Sequence, residues 1–177
     1  MPTARRTRTI AASAQELWEV LGDPHHLPRW WPRVNRVEAV TLTGTPRDGG
    51  QAGELGAFTE VLMSPRGRIV RADFKLLDAV EPWRIVWSQQ IENTPFARVL
   101  KSAETEICLA AAHGSDGPAT EVTIELRQVL QGFRGSGALS LRFSGISRFG
   151  GPLVQRAAVS TIEEALDGLE LIAGRRS

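Results

Sequence analysis

The chain has no tyrosine, one cysteine, two methionines and three histidines in 177 residues, and each scarcity closes off some chemistry. Without tyrosine there is no phenol to act as an acid or as an oxyanion donor. Cys108 stands alone, which forbids an internal disulfide and a multi-cysteine zinc site. His25 and His26 are adjacent, so on a helix or strand their rings diverge instead of converging on one metal. A Gly-x-Ser-x-Gly elbow, a phosphate loop ending in Gly-Lys-Ser/Thr and a His-Glu-x-x-His pair are all missing. Gly132, Gly135 and Gly137 stand in the wrong order for a dinucleotide fingerprint and read as flexibility before the last helix. No cofactor and no metal are therefore expected.

Charge bias is lacking too. Lys and Arg number 21 against 20 Asp and Glu, a net charge of +1. Sequence-independent nucleic-acid binding needs many cations on phosphates, so no nucleic-acid partner is expected. Arg5, Arg6 and Arg8 form a small cluster that reads as a solvated strand edge. Nowhere do about eighteen apolar residues run together, and Met1 to Thr9 lack the apolar core of a signal peptide. The expectation is a cytoplasmic protein with no membrane insertion. Its 42% hydrophobic and 23% charged residues suit one globular domain over 1–177.

What is present begins with a helix. Ala14, Leu17, Trp18 and Leu21 follow the i, i+3, i+4, i+7 pattern of one face. Ser13 is placed to cap it, and Glu16 completes a capping box. Gly22, Asp23 and Pro24 end it, and Arg6 to Ala12 before it read as an entering strand. Pro28 and Pro32 then leave room for one helical turn or a short second helix.

From Val34 to Leu130 the texture is of strands between breakers: Val34 to Thr43, Leu55 to Met63, Arg68 to Val80, Trp83 to Ile91, Arg98 to Ala111 and Thr120 to Leu130. Such short connections make neighbours antiparallel. Val70, Ala72, Phe74 and Leu76 alternate with Arg71, Asp73 and Lys75, so the first set faces inward. Ile85, Trp87, Gln89 and Ile91 follow the same rule, as do Val122, Ile124 and Leu126. If Ile107 and Leu109 point inward, Glu104 and Glu106 point outward toward Arg127, while Lys101 and Thr105 share the inner face. Lys101 is then a strand-end snorkeller or a cavity charge.

Apolar residues recur at helical spacing from Ala138 to Gly174, including Leu139, Phe143 and Leu153, then Ala158, Ile162, Ala165, Leu169 and Ile172. Gly150, Gly151 and Pro152 interrupt them, predicting a kinked helix or two segments in series. A sheet apolar on one face needs such a cover.

This order of elements, with Ser13, Leu17, Trp18, Leu21, Asp23 and Pro24 followed by Trp30, Trp31, Pro32, Arg33 and Val34, resembles the START-like superfamily known as SRPBCC. The run Pro82, Trp83, Arg84, Ile85, Val86, Trp87 also resembles it. The resemblance covers nearly the whole chain and implies an α+β helix-grip fold. In that fold a curved antiparallel sheet of seven strands wraps a long C-terminal helix, with two short helices after the first strand. It also implies a cavity for an apolar or aromatic small molecule. Family roles range over lipid carriage, polyketide cyclisation and chaperone-cofactor binding, so the resemblance fixes scaffold more than chemistry.

Trp30, Phe58, Phe74, Trp87 and Phe143 come from five elements that could each reach the space under the last helix, where Ala158 also lies. Each can equally serve as core filling. Gln89 is the expected polar anchor. The leading expectation is binding or carriage of a small hydrophobic, lipid-like or aromatic polyketide-like ligand. A polyketide cyclase or dehydratase type of enzyme would need Asp23, Asp73, Glu60, Lys101 or Glu104 facing inward. An interaction module would show a filled interior and an exposed patch.

Overall fold

The computed structural model describes residues 3–42, 55–63, 67–98, 100–114, 117–131 and 144–175. Strand β1 (Thr3–Ile10) leads into helix α1 (Ala14–Leu21). The strand starts and ends earlier than the sequence pattern indicated, because β7 offers partners to it from Thr3 through Ile10. After Ile10 a tight turn, in which the Ala12 N–H donates to the Ile10 carbonyl, brings Ser13 to the head of α1. Ser13 Oγ accepts the Glu16 N–H, and the Glu16 carboxylate accepts the Ser13 N–H at 2.7 Å, which is the expected capping box. Leu17, Val20 and Leu21 are the buried face of α1.

A 3₁₀ turn at Pro24–His26, capped by the Asp23 carboxylate, passes into the single turn of α2 (Leu27–Trp30). Six strands follow: β2 (Val34–Leu42), β3 (Gly56–Met63), β4 (Ile69–Val80), β5 (Arg84–Gln89), β6 (Leu100–His113) and β7 (Pro118–Leu130). They form one antiparallel sheet of seven strands in the order β1-β7-β6-β5-β4-β3-β2. The chain thus meanders from β2 to β7, and β1 closes against β7. Arg98 belongs to a 3₁₀ turn rather than to β6, which instead runs on to His113 because it pairs with β7 as far as Pro118.

Alternation sorts the faces as the sequence pattern predicted. Ile107, Leu109, Val122, Ile124 and Leu126 are buried on the inner face. Glu104 and Glu106 turn outward, where Arg127 bonds Glu104, Glu106 and Glu125 and Arg84 bonds Glu106 and Asp78. Lys101 is exposed, which settles it as a strand-end cation. One face of the sheet is therefore an ionic lattice and the other is the core.

Helix α3 (Ser144–Gly174) lies across that inner face as one element, with Pro152 inside it rather than opening a fresh helix. Pro152 costs the helix a backbone hydrogen bond without ending it. The part of the predicted helix from 138 to 143 lies outside the described residues. Ala158, Ile162, Ala165, Leu166, Leu169 and Ile172 form the buried stripe. Where α3 crosses α2 the backbones nearly touch: a Cβ on Gly168 would lie 2.6 Å from the Trp30 carbonyl oxygen, so only glycine fits there.

Strand β1 is an edge strand on which Arg5 and Arg6 are exposed, as expected of a solvated edge, but Arg6 and Arg8 also form ion pairs with α3. Arg6 and Arg8 share the inner face of β1 with Ala4 and Ile10. Arg6 pairs with Glu163 at 3.0 Å, and Arg8 pairs with Glu163, Asp167 and Glu170. The spacing of three and four residues puts these carboxylates on one side of α3, within reach of the strand.

Candidate functional site

The grip does not close fully. Between the sheet and the first half of α3 lies a cavity of about 650 Å³, lined from α3 by Val154, Ala157, Ala158 and Thr161. The facing sheet positions include Ala72 and Ala103. The lining thus includes several small side chains beside large ones such as Leu62, Trp87 and Leu126. Exposed Arg33, Met63 and Ala157 border the cavity.

One wall is aromatic. The rings of Trp31 and Trp87 meet edge-on at 5.9 Å, Trp87 meets Phe58 at 6.2 Å, and Phe58 stacks on Phe74 at 5.2 Å. Of the residues singled out in the sequence, Phe74, Trp87, Gln89 and Ala158 line the cavity. Phe58 sits behind the wall, against a void of about 10 Å³ shared with Leu21, Leu27 and Leu76. Trp30 is buried beside α3 and meets Trp31 at 5.3 Å, so it supports the wall without reaching the space. Phe143 lies outside the described residues. Trp31, next to Trp30, is the ring that faces the cavity. Nothing in the local sequence separates the two, because the choice depends on the extended conformation of Trp31 after α2.

The polar groups are few. Gln89, Thr105, Gln128 and Thr161 border the space, and Glu104 at its edge is held by Arg127 at 2.8 Å. Glu60 is the exception. It shares the inner face of β3 with Phe58 and Leu62, and 3% of it is exposed. Its Oε1 is buried with no hydrogen-bond partner among the described residues. Burial alone pushes this carboxyl up to about 8. Desolvation penalises the charged form, so the protonated form is favoured at neutral pH, and in that form one of the two oxygens carries an O–H.

The other four acid or base candidates do not meet this requirement. Asp73 accepts a hydrogen bond from Thr59 on the outer face, and Lys101 and Glu104 are accounted for above. Asp23 holds the turn before α2. Desolvation is the largest single influence and raises its carboxyl, but two hydrogen bonds from His25 and the charges of His25 and His26 together outweigh it and hold the carboxyl below its ordinary value. His25 lies 2.8 Å and His26 4.0 Å from that carboxylate. No group of three His, Cys, Asp or Glu side chains suited to a metal ion occurs among the described residues.

A curved sheet gripping a C-terminal helix around a partly empty, mostly apolar interior defines a helix-grip domain, and the comparisons with known proteins agree. The chain belongs to the polyketide cyclase/dehydrase and lipid transport family, whose pattern matches residues 1–173. Among solved structures it is similar to a START superfamily protein from Mycobacterium smegmatis, at 15% identity and a TM-score of 0.64, with 99% of each chain covered. It is also similar to the Zhui aromatase/cyclase from Streptomyces sp. R1128, at 20% identity and a TM-score of 0.64, covering 98% of this chain and 94% of that one. No curated protein sequence gives a match. Among the described residues no helix is long and apolar enough to cross a membrane. Family and fold fit a ligand-binding role.

Proposed function

We propose that this protein binds and carries a small hydrophobic molecule, lipid-like or polycyclic aromatic, in the cavity under the first half of α3. The observation that carries the reading is the cavity itself, about 650 Å³ within a domain whose other half is solidly packed. That volume falls in the range typical of small-molecule sites, roughly 300–1,000 Å³, and the mixture of apolar wall and sparse polar groups is the usual one. An interior left open also counts against a purely surface-acting interaction module.

The test is solvent extraction of the purified protein followed by mass spectrometry of the extract. A stoichiometric lipid or polycyclic aromatic supports carriage. A protein that emerges empty and stays empty against a broad panel of apolar compounds contradicts it. Trp87→Ala should weaken binding of whatever ligand is found, because its ring forms part of the wall.

A cyclase or dehydratase type of activity is the second reading, and Glu60 is what favours it. Of the five groups considered as acid or base, Glu60 is the one buried against the cavity, and its protonated state at neutral pH suits a general acid. Turnover of an extracted ligand by wild type and not by Glu60→Gln would support it.

A further inference from the structure

A buried carboxyl oxygen without a partner, as Glu60 Oε1 is among the described residues, is costly to keep, and the neighbours of β3 do not require one at position 60. Its neighbours across the inner face are Val37 on β2 and Ala72 on β4. An aliphatic side chain would suit such surroundings better, since an unsatisfied buried polar group destabilises a fold. The charges nearest in register, Arg36, Glu38 and Arg71, pair with one another on the outer face. Among the described residues α3 gives the cavity Val154, Ala157, Ala158 and Thr161, none of them ionisable. Among the described residues the other charged groups bordering the same space are Arg33, which is exposed, and Glu104, engaged by Arg127. Neither contributes to the state of Glu60, whose shift comes from desolvation.

We infer that the Glu60 carboxyl is the polar anchor of the cavity, donating its O–H to a carbonyl oxygen of an uncharged, otherwise apolar ligand. The inference rests on the carriage reading and narrows it to a class. A plain hydrocarbon would leave Oε1 and the O–H unsatisfied. A ligand carboxylate placed there would have to lose its water against a carboxyl group rather than a cation. A ketone, quinone or ester group satisfies the donor and brings no charge. Gln89 and Thr105, which border the same cavity, can hold further oxygens, so the class extends to ligands with more than one carbonyl.

The experiment uses three probes of one shape, fluorenone, fluorene and fluorene-9-carboxylate, titrated into the whole protein at pH 6 with tryptophan fluorescence as the readout. Fluorenone should bind about five- to ten-fold more tightly than fluorene, the effect of one hydrogen bond in a dry site, and the carboxylate should bind weakest. Glu60→Leu should bind fluorene as well as wild type does and show no preference for fluorenone. Glu60→Gln, which keeps a donor of similar size, should retain the preference. Raising the pH past about 8 should abolish the preference in wild type and leave it intact in Glu60→Gln. Carbon-13 NMR of a carboxyl-labelled protein should show Glu60 titrating near the same pH.

Equal affinity for fluorenone and fluorene in wild type, or a preference that survives in Glu60→Leu, overturns the inference and leaves carriage standing. A Glu60 already ionised at pH 6 also overturns it. Failure of wild type and both variants to bind any of the three probes overturns the inference, whereas carriage itself falls only if the extracted protein is empty and stays empty against the broad panel.

Discussion

Helix α3 lies on two different surfaces. Its second half, from Ile162 to Ala173, presents Ile162, Leu166 and Leu169 fully buried against a sheet region that supplies Ile10, Ile107, Val122 and Ile124. Its first half presents Val154, Ala157, Ala158 and Thr161 to the cavity. One helix and one sheet thus give a core rich in large branched side chains at one end and a cavity at the other. Stability is concentrated where large branched residues are buried together, and binding capacity where the lining leaves space.

The comparison breaks most severely at its solid end. Leu166→Ala should destabilise the fold by about 2–5 kcal/mol, since the surrounding core relaxes only partly into the hole. Chemical denaturation would show this as a lower midpoint, with ligand affinity of the remaining folded protein little changed.

At the cavity end, Glu60→Gln should instead stabilise. The folded-state carboxyl is raised to about 8, so between the ordinary carboxylate range and that value the native state holds a proton that the unfolded chain releases. Stability contributed by this group is full below the unfolded value and falls as pH rises toward 8. The loss at pH 7 is on the order of 3 kcal/mol. Denaturation midpoints for wild type should decline from pH 5 to pH 8 relative to Glu60→Gln, and parallel curves would contradict this.

Gly168→Ala tests the contact of the solid end of α3 with α2. The added methyl meets the Trp30 backbone, which cannot turn aside as a side chain could. A destabilisation of about 1–3 kcal/mol is expected from overpacking. A thermal shift of zero would mean that α2 has room to move.

The smallest effect should come from Arg8→Ala. Its ion pairs to Glu163, Asp167 and Glu170 are partly solvated and contribute about 1 kcal/mol or less, which added salt reduces further.

The sequence made the scaffold legible to a high degree because its signals are periodic and local. The Ser13 cap, the alternation in β4 and the stripe from Ala158 to Ile172 each predict their element without reference to the rest. Boundaries shifted where pairing decided them, as at β1, whose extent is set by β7, and at Arg98. The site was less legible because it depends on what is missing between elements. Phe74, Trp87, Gln89 and Ala158 could be named as inward-facing, but a sequence does not show that Phe58 is covered by other rings or that Trp31 turns where Trp30 does not. Glu60 was visible as one acid among five, on a strand whose alternation is irregular: Phe58, Glu60 and Val61 are all buried. Gly168 carried no local signal at all, since the need for glycine arises from α2, far away in sequence.

The central claim is that the space under the first half of α3 is a binding site rather than slack packing. Ala158→Phe, which places a ring in that space, tests it most directly when fluorene affinity and thermal midpoint are measured together. The account predicts affinity reduced about ten-fold or more, with a midpoint within a few degrees of wild type, because the ring enters empty volume. Unchanged affinity, or a loss of stability as large as that of Leu166→Ala, would contradict it.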